Sequence, residues 1–177
     1  MKKYLVLFLV ALTSFMFATP VGVSFMEPLE NQRVDKGIVF DATVVNANLA
    51  AAVTYNYLIE PAFDMVLYLE SGSETALKVV VYEDPTATGV GSVQTAYNQN
   101  RNSSKVATAI ATLTSAIPTI SVQGTAIYSD IAQNGEVNKR LVLNGDSDYL
   151  IQLTNLGTVT GDVSLGLTFL KNVLRLR

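Results

Sequence analysis

Short stretches of alternating apolar and polar side chains constrain the fold of this 177-residue chain more than any other feature. Tyr149, Ile151 and Leu153 fall on one face of such a stretch, and Asp148, Gln152 and Thr154 fall on the other. The same alternation recurs at residues 53–59, 63–69 and 163–169. Because successive side chains of a β-strand point to opposite faces, this period of two predicts strands that each bury one face.

Turn residues divide the alternating stretches. A Ser-Gly-Ser turn at residues 71–73 predicts a hairpin over residues 63–83, and Asn144-Gly145 predicts another hairpin. About eight to ten short strands separated by such turns are typical of all-β sandwiches and jelly rolls. We therefore predict an all-β fold, a single antiparallel β-sandwich or jelly-roll-like domain.

The start of the chain differs from the rest. Lys2 and Lys3 precede an apolar run, a pattern typical of a secretory signal peptide, which we assign to residues 1–18. The run is shorter than the ~20 residues that cross a bilayer, and an uncleaved N-terminal anchor is the alternative. Residues 19–36, with two prolines and a glycine, predict an extended arm, and residues 37–177 the β-sandwich domain. Contact with a membrane is expected only through the N-terminal segment, if it stays uncleaved.

The composition excludes several classes of function. The chain has no histidine and no cysteine, which removes the commonest general base, ordinary zinc sites and disulfides. Its net charge is −3, and no basic stripe interleaved with aromatic residues indicates a nucleic-acid partner. Charged residues make up 15% of the chain, against ~25% in ordinary globular proteins. We therefore predict no enzyme and no cofactor. The low share of charged residues has two explanations, burial of surface against other subunits or a large core.

A long polar crossover follows the strand predicted at residues 78–82. Glu83, Asp84 and Pro85 end that strand, since proline has no N–H for a ladder. A crossover over residues 85–104 then contains glycines and asparagines, whose side chains bond to nearby backbone and order an irregular path. The residues that characterise this structural motif are Glu83, Asp84, Pro85, Asn98, Asn100, Arg101 and Asn102.

Two further hypotheses concern charged side chains. Arg101 is expected to reach back to Glu83 or Asp84 in a bidentate ion pair that holds the crossover in place. The alternating oxygens of Asn144, Asp146 and Asp148 form a candidate calcium site. A simple hairpin turn at Asn144-Gly145 explains the same residues without a metal, and we predict no other metal site.

Several of these segments recur in one known family. The segments YEDPT at residues 82–86, NQNRNSS at 98–104, IPT at 117–119 and YLIQLTN at 149–155 follow one another in this order. Together they resemble a family of small tailed-phage proteins, and the resemblance spans most of the chain after the signal. It implies a β-sandwich virion component, associated with the capsid or decorating it. Family members generally begin without an export signal, so this chain departs from the family at its start.

The resulting expectation is a structural, non-enzymatic subunit of a virion-like or extracellular assembly. Its partners would be its own copies, a capsid protein or a surface-layer protein, with no nucleic acid. The signal predicts a location outside the cell or at its surface, and the resemblance predicts the virion instead. The alternative is an exported binding module for carbohydrate or another surface ligand, which would use exposed tyrosines. The tyrosines considered are Tyr55, Tyr57, Tyr68, Tyr82, Tyr97, Tyr128 and Tyr149.

Overall fold

A computed structural model describes residues 33–34, 36–89, 91–109, 111–116, 119–132 and 136–171, without the side chains of residues 46, 47 and 109. The predicted signal segment, residues 1–18, and most of the predicted arm lie outside the described residues. No helix within the described part is long and apolar enough to cross a membrane.

Nearly all regular structure in these residues is β-strand. A short 3₁₀ turn, Ala107–Ala109, precedes the eighth strand. The strands in chain order are β1 (Val39–Leu49), β2 (Thr54–Pro61), β3 (Met65–Ser73), β4 (Leu77–Glu83), β5 (Thr86–Thr88), β6 (Ser92–Val93), β7 (Tyr97–Asn98), β8 (Ala111–Ser115), β9 (Thr119–Val122), β10 (Thr125–Ala132), β11 (Glu136–Leu143), β12 (Tyr149–Asn155) and β13 (Gly161–Lys171).

The strands form two large sheets and one small one. The first sheet has the order β11-β3-β13-β1-β7, and the second has the order β10-β4-β12-β2-β8-β6. β5 and β9 pair alone. Every paired strand runs antiparallel to its neighbour. The prediction of an all-β, antiparallel fold is confirmed.

The two large sheets share one apolar core. Phe40, Leu67 and Leu165 of the first sheet belong to the same buried cluster as Val79 and Ile151 of the second. Burial alternates along β13, where every second residue from Gly161 to Phe169 is buried. Full burial of one such side chain stabilises the fold by about 1.5–3 kcal/mol. The period of two in the sequence therefore sets which face of each strand enters the core, and the fold is sandwich-like.

The two predicted hairpins are wrong, because strands adjacent in the chain lie in different sheets. β3 pairs with β11 and β13, whereas β4 pairs with β10 and β12. β11 and β12 are separated in the same way. The backbone at both turns bonds to residues distant in the sequence: Glu74 N–H donates to the Asp162 carbonyl of β13 at 3.4 Å, and Gly145 N–H donates to the Asp64 carboxylate at 3.0 Å. Each turn is thus a corner that carries the chain across the core.

The predicted crossover is part of a longer insertion between β4 and β10. Within it, β5 pairs with β9, β6 lies on β8 at the edge of the second sheet, and β7 lies on β1 at the edge of the first. The insertion therefore adds strands to both large sheets, to the β1 edge of the first and the β2 edge of the second. The predicted crossover itself, residues 85–104, contains three short strands, β5, β6 and β7, where the sequence predicts an irregular loop.

Candidate functional site

The structure divides the predicted crossover motif between two places. Glu83 ends β4 in the second sheet, and Asp84 and Pro85 follow it. Asn98 ends β7 at the edge of the first sheet, and the other motif residues come directly after it. The two halves of the motif, residues 83–85 and 98–102, are therefore separate sites.

The first half lies against the turn that carries the predicted calcium ligands. The Tyr149 hydroxyl donates to Glu83 Oε1 at 2.8 Å and accepts the Asn144 N–H at 2.8 Å. Asp84 N–H donates to the Asp148 carbonyl at 2.9 Å. We call this group, Glu83, Asp84, Asn144, Asp148 and Tyr149, the acidic corner. It joins two of the segments that carry the phage resemblance, residues 82–86 and 149–155.

The acidic corner perturbs two titrations. Burial raises the pKa of the Tyr149 phenol to about 12, and its hydrogen bond to Glu83 acts in the same direction. Partial burial, and after it the Asp84 carboxylate, raise the pKa of Asp148 above its ordinary value. Both shifts favour the neutral form, since a second negative charge here is poorly solvated. The neutral Tyr149 phenol can therefore keep its hydrogen bonds to the end of β4 at Glu83 and to the turn at Asn144.

The predicted calcium ligands also have a structural role. Asn144 Oδ1 accepts the Asp146 N–H at 3.2 Å, which closes a local turn. Among the described residues, no three carboxylate, imidazole or thiol side chains are grouped to hold a metal ion. The calcium site at Asn144, Asp146 and Asp148 stays a prediction.

Gly124, just before β10, lets the backbone pass close to Glu83 of the acidic corner. Gly124 has φ +86°, and a Cβ there would lie 2.1 Å from the Glu83 carbonyl oxygen. A carbon atom cannot approach a backbone oxygen this closely, so the position requires glycine. Gly124 lies between β9 and β10.

The second half forms an asparagine loop, residues 98–105. Asn98 Nδ2 donates to the Gly37 carbonyl at 3.0 Å and to the Lys105 carbonyl at 3.2 Å. Asn98 Oδ1 accepts the Asn100 N–H at 2.9 Å, and Asn100 Oδ1 accepts the Asn102 N–H at 3.0 Å. Successive asparagines thus bond to backbone two residues ahead. This confirms the expectation that they order an irregular path.

Arg101 does not form the ion pair expected with Glu83 or Asp84 in the described structure. Its guanidinium carbon lies 5.5 Å from the centroid of the Tyr97 ring, in a cation–π arrangement. The reason is topological: Arg101 follows β7 in the first sheet, whereas both carboxylates end β4 in the second. Arg101 lies in the predicted crossover, but the predicted carboxylate partner is wrong, because its side chain contacts Tyr97.

The sequence reasoning missed an exposed pair of edge strands. β10 and β11 are the outermost strands of the two sheets on the side opposite the insertion. Ile127, Ile131 and Val142 on these strands are 40%, 52% and 57% exposed. We call these outer edges with their three apolar side chains the open edge. The signal in the sequence is weak, because residues 125–132 mix polar and apolar side chains without a regular period.

Charged groups on the inner side of the open edge are paired. The Tyr128 hydroxyl donates to Asp130 Oδ2 at 3.0 Å, and Lys139 Nζ lies 5.2 Å from the Tyr128 ring centroid. Burial and the Asp130 hydrogen bond raise the pKa of Tyr128 to about 12. These contacts link β10 of one sheet to β11 of the other.

No protein-family model matches the chain, and the search among curated proteins finds no match.

Proposed function

We propose that this protein is a structural, non-enzymatic subunit that works by association in a virion-like or extracellular assembly. The observation that carries the proposal is the open edge. Two strand edges that are unpaired among the described residues lie side by side there, flanked by Ile127, Ile131 and Val142, each at least 40% exposed. Unpaired N–H and C=O groups are templates for strand pairing. Charged residues on β11 and a register irregularity in β10 protect these edges only in part, since the three apolar side chains stay exposed.

The strand order supports a jelly-roll fold. Without the insertion, the sheets read β1-β13-β3-β11 and β2-β12-β4-β10. Successive members of these eight strands alternate between the two antiparallel sheets, except that β4 and β10 pair with each other in the second. This is the jelly-roll arrangement found in many capsid and lectin domains. We propose that the chain is a jelly roll whose fourth and fifth core strands are separated by the insertion. This fold agrees with the capsid class that the sequence resemblance implies.

The partners we propose are other copies of this chain, or a capsid or surface-layer protein. The chain would act outside the cell or at its surface, with the virion as the alternative, because the N-terminal signal and the phage resemblance point to different places. The non-enzymatic character rests on the absence of histidine and cysteine from the sequence.

The binding-module alternative receives less support. Tyr57 and Tyr149 are buried in the core, and of the seven tyrosines considered Tyr97 alone is classed as exposed. A sugar platform needs several exposed aromatic faces close together. We therefore favour association at the open edge over carbohydrate binding.

The molar mass of the full chain in solution tests the proposal, measured by light scattering after size exclusion. We expect a mass of at least two chains, and we expect Val142→Lys to lower it to one, since a lysine on an edge strand opposes strand pairing. Val159→Lys is the matched control, because Val159 is 61% exposed but lies in the turn between β12 and β13. A monomeric wild type at micromolar concentration would refute self-association. An oligomer that Val142→Lys leaves intact would refute the open edge as its interface.

A further inference from the structure

A cavity lies where the insertion passes from one sheet to the other. Its volume is about 430 Å³, within the ~300–1,000 Å³ range of small-molecule sites. Phe40 and Phe169 of the first sheet line it, with ring centroids 5.9 Å apart, and Ala111 and Leu113 of β8 line it from the second. All four side chains are buried core residues. The cavity therefore lies at the surface between the sheet edges, and these four core side chains form its floor.

The mouth of the cavity is also apolar. Val93, Tyr97 and Val106 line it and are 66%, 57% and 60% exposed. Single exposed apolar side chains are ordinary on protein surfaces, but these three form an apolar wall of one opening, whose lining also includes Gln94 and Thr95. Such a wall is favourable only when another apolar group covers it.

Cationic groups stand beside this apolar wall. Residues 85–129 contain no aspartate or glutamate, and their two charged residues are Arg101 and Lys105, in a chain of net charge −3. Lys105 lines the cavity, and its Nζ donates to the Lys36 carbonyl at 2.6 Å. An ammonium group carries three donors, so Lys105 has further N–H groups to offer a ligand. The Arg101 guanidinium lies over the ring of Tyr97, which itself lines the cavity.

We propose that this cavity binds an anionic amphiphile of the fatty-acid class. The hydrocarbon chain packs against Val93, Tyr97 and Val106, and the carboxylate accepts a hydrogen bond from Lys105. A purely apolar ligand would leave Lys105 without a counter-ion, and a small anion would leave Val93 and Val106 uncovered. A ligand with both a hydrocarbon chain and an anionic group matches both features. The proposal is independent of self-association, since the open edge lies on the other side of both sheets.

Fluorescence titration of the full chain with a dansyl-labelled undecanoate tests binding, followed by displacement with unlabelled ligands. We expect saturable binding of one probe per chain and displacement by laurate. We expect dodecanol, which has the same chain length without the charge, to displace the probe several-fold less well. Lys105→Met should weaken laurate binding by about three- to fivefold, as for a solvent-exposed ion pair, and leave dodecanol binding unchanged. Lys78→Met on β4 is the matched control and should change neither.

A second variant tests the location of the site. Ala96 lines the cavity, and Ala96→Phe should fill it and abolish binding of both ligands, with folding checked by circular dichroism. The proposal is overturned if the probe shows no saturable binding, or if folded Ala96→Phe binds like the wild type. Equal affinity for laurate and dodecanol, unaffected by Lys105→Met, would overturn the anionic part. Retention by phosphatidylglycerol vesicles without laurate binding would show a membrane surface as the ligand and overturn the free amphiphile.

Discussion

Asn155 at the end of β12 makes four hydrogen bonds in a position that is fully buried, with 0% of its surface exposed. Its Nδ2 donates to the Leu49 carbonyl at 2.8 Å and to the Val159 carbonyl at 3.0 Å. Its Oδ1 accepts the Thr75 hydroxyl at 2.8 Å and the Gly157 N–H at 2.8 Å. One side chain thus satisfies the end of β1, the corner between β3 and β4, and the turn that follows β12.

The cost of removing this side chain follows from the number of bonds. Each hydrogen bond contributes about 0.5–1.5 kcal/mol net, so Asn155→Ala should lower the free energy of unfolding by about 4 kcal/mol. The groups left behind add to this cost where water does not reach them. Since domains are stable by about 5–15 kcal/mol, the variant should be close to unfolding at elevated temperature.

Asn155→Asp separates hydrogen bonding from size. The aspartate has the same shape, but its carboxylate faces the Leu49 and Val159 carbonyl oxygens where the amide donated. Thr75 and Gly157 still donate to one oxygen, but full burial and the two carbonyl oxygens that face the other should raise the pKa of this aspartate above its ordinary value in the folded state. The native state then holds the proton more tightly than the unfolded state. The variant is therefore relatively most stable at acid pH, and it loses that stability as the pH rises through the folded-state pKa.

Urea unfolding followed by circular dichroism gives the required free energies. It should be measured for Asn155→Ala at neutral pH and for Asn155→Asp from acid to neutral pH. Asn138→Ala on the exposed face of β11 is the control, and it should change stability by less than about 0.5 kcal/mol. A loss below about 1 kcal/mol for Asn155→Ala, or no pH dependence for Asn155→Asp relative to the wild type, would refute this reasoning.

Three further substitutions test the core and the acidic corner. Tyr149→Phe should cost about 1–2 kcal/mol, because it removes the hydroxyl bonded to Glu83. The wild type should lose stability as the pH rises from about 10 to about 12, since the folded-state pKa of Tyr149 is raised; alkaline urea titrations should show a smaller loss in the variant. Gly124→Ala should lower the thermal midpoint by several degrees, because its Cβ would meet the Glu83 carbonyl. Ser71→Ala should raise stability by about 1 kcal/mol in the same unfolding assay, because the buried Ser71 hydroxyl has no hydrogen-bond partner in the described structure.

The strands could be predicted from the sequence, and their connections could not. The alternation at Tyr149, Ile151 and Leu153 reports which side chains enter the core, and all three are buried. The Asn144-Gly145 turn reports only that the chain reverses. Whether it returns in the same sheet or crosses to the other depends on distant partners, here the Asp64 carboxylate that binds the turn. Local turn chemistry is equally compatible with both, so the hairpin prediction failed.

The same distinction applies to the candidate sites. The asparagine loop was predictable because its bonds join residues two apart, such as Asn98 to Asn100. The partner of Arg101 was not, because it depends on which sheet each end of the crossover joins. Tyr149 and Glu83 are distant in the sequence, and their hydrogen bond follows from the pairing of β12 with β4, where they are opposite each other.

The two sides of the molecule predict the symmetry of association. On the insertion side, the outermost strands β6 and β7 have two residues each and are poor templates for pairing. The outer part of β1 is interrupted too, by an irregularity between Asn46 and Leu49. Among the described residues, the longest free edges are therefore those of β10, which has its own irregularity between Ala126 and Tyr128, and of β11, on the other side. Head-to-tail stacking would need a free edge on both sides, so association through strand edges should use the open edge of both copies and close as a two-fold dimer. Light scattering over a concentration series should reach a plateau at two chains. A mass that keeps growing with concentration, and still responds to Val142→Lys, would show that the insertion side accepts strands and would refute this symmetry.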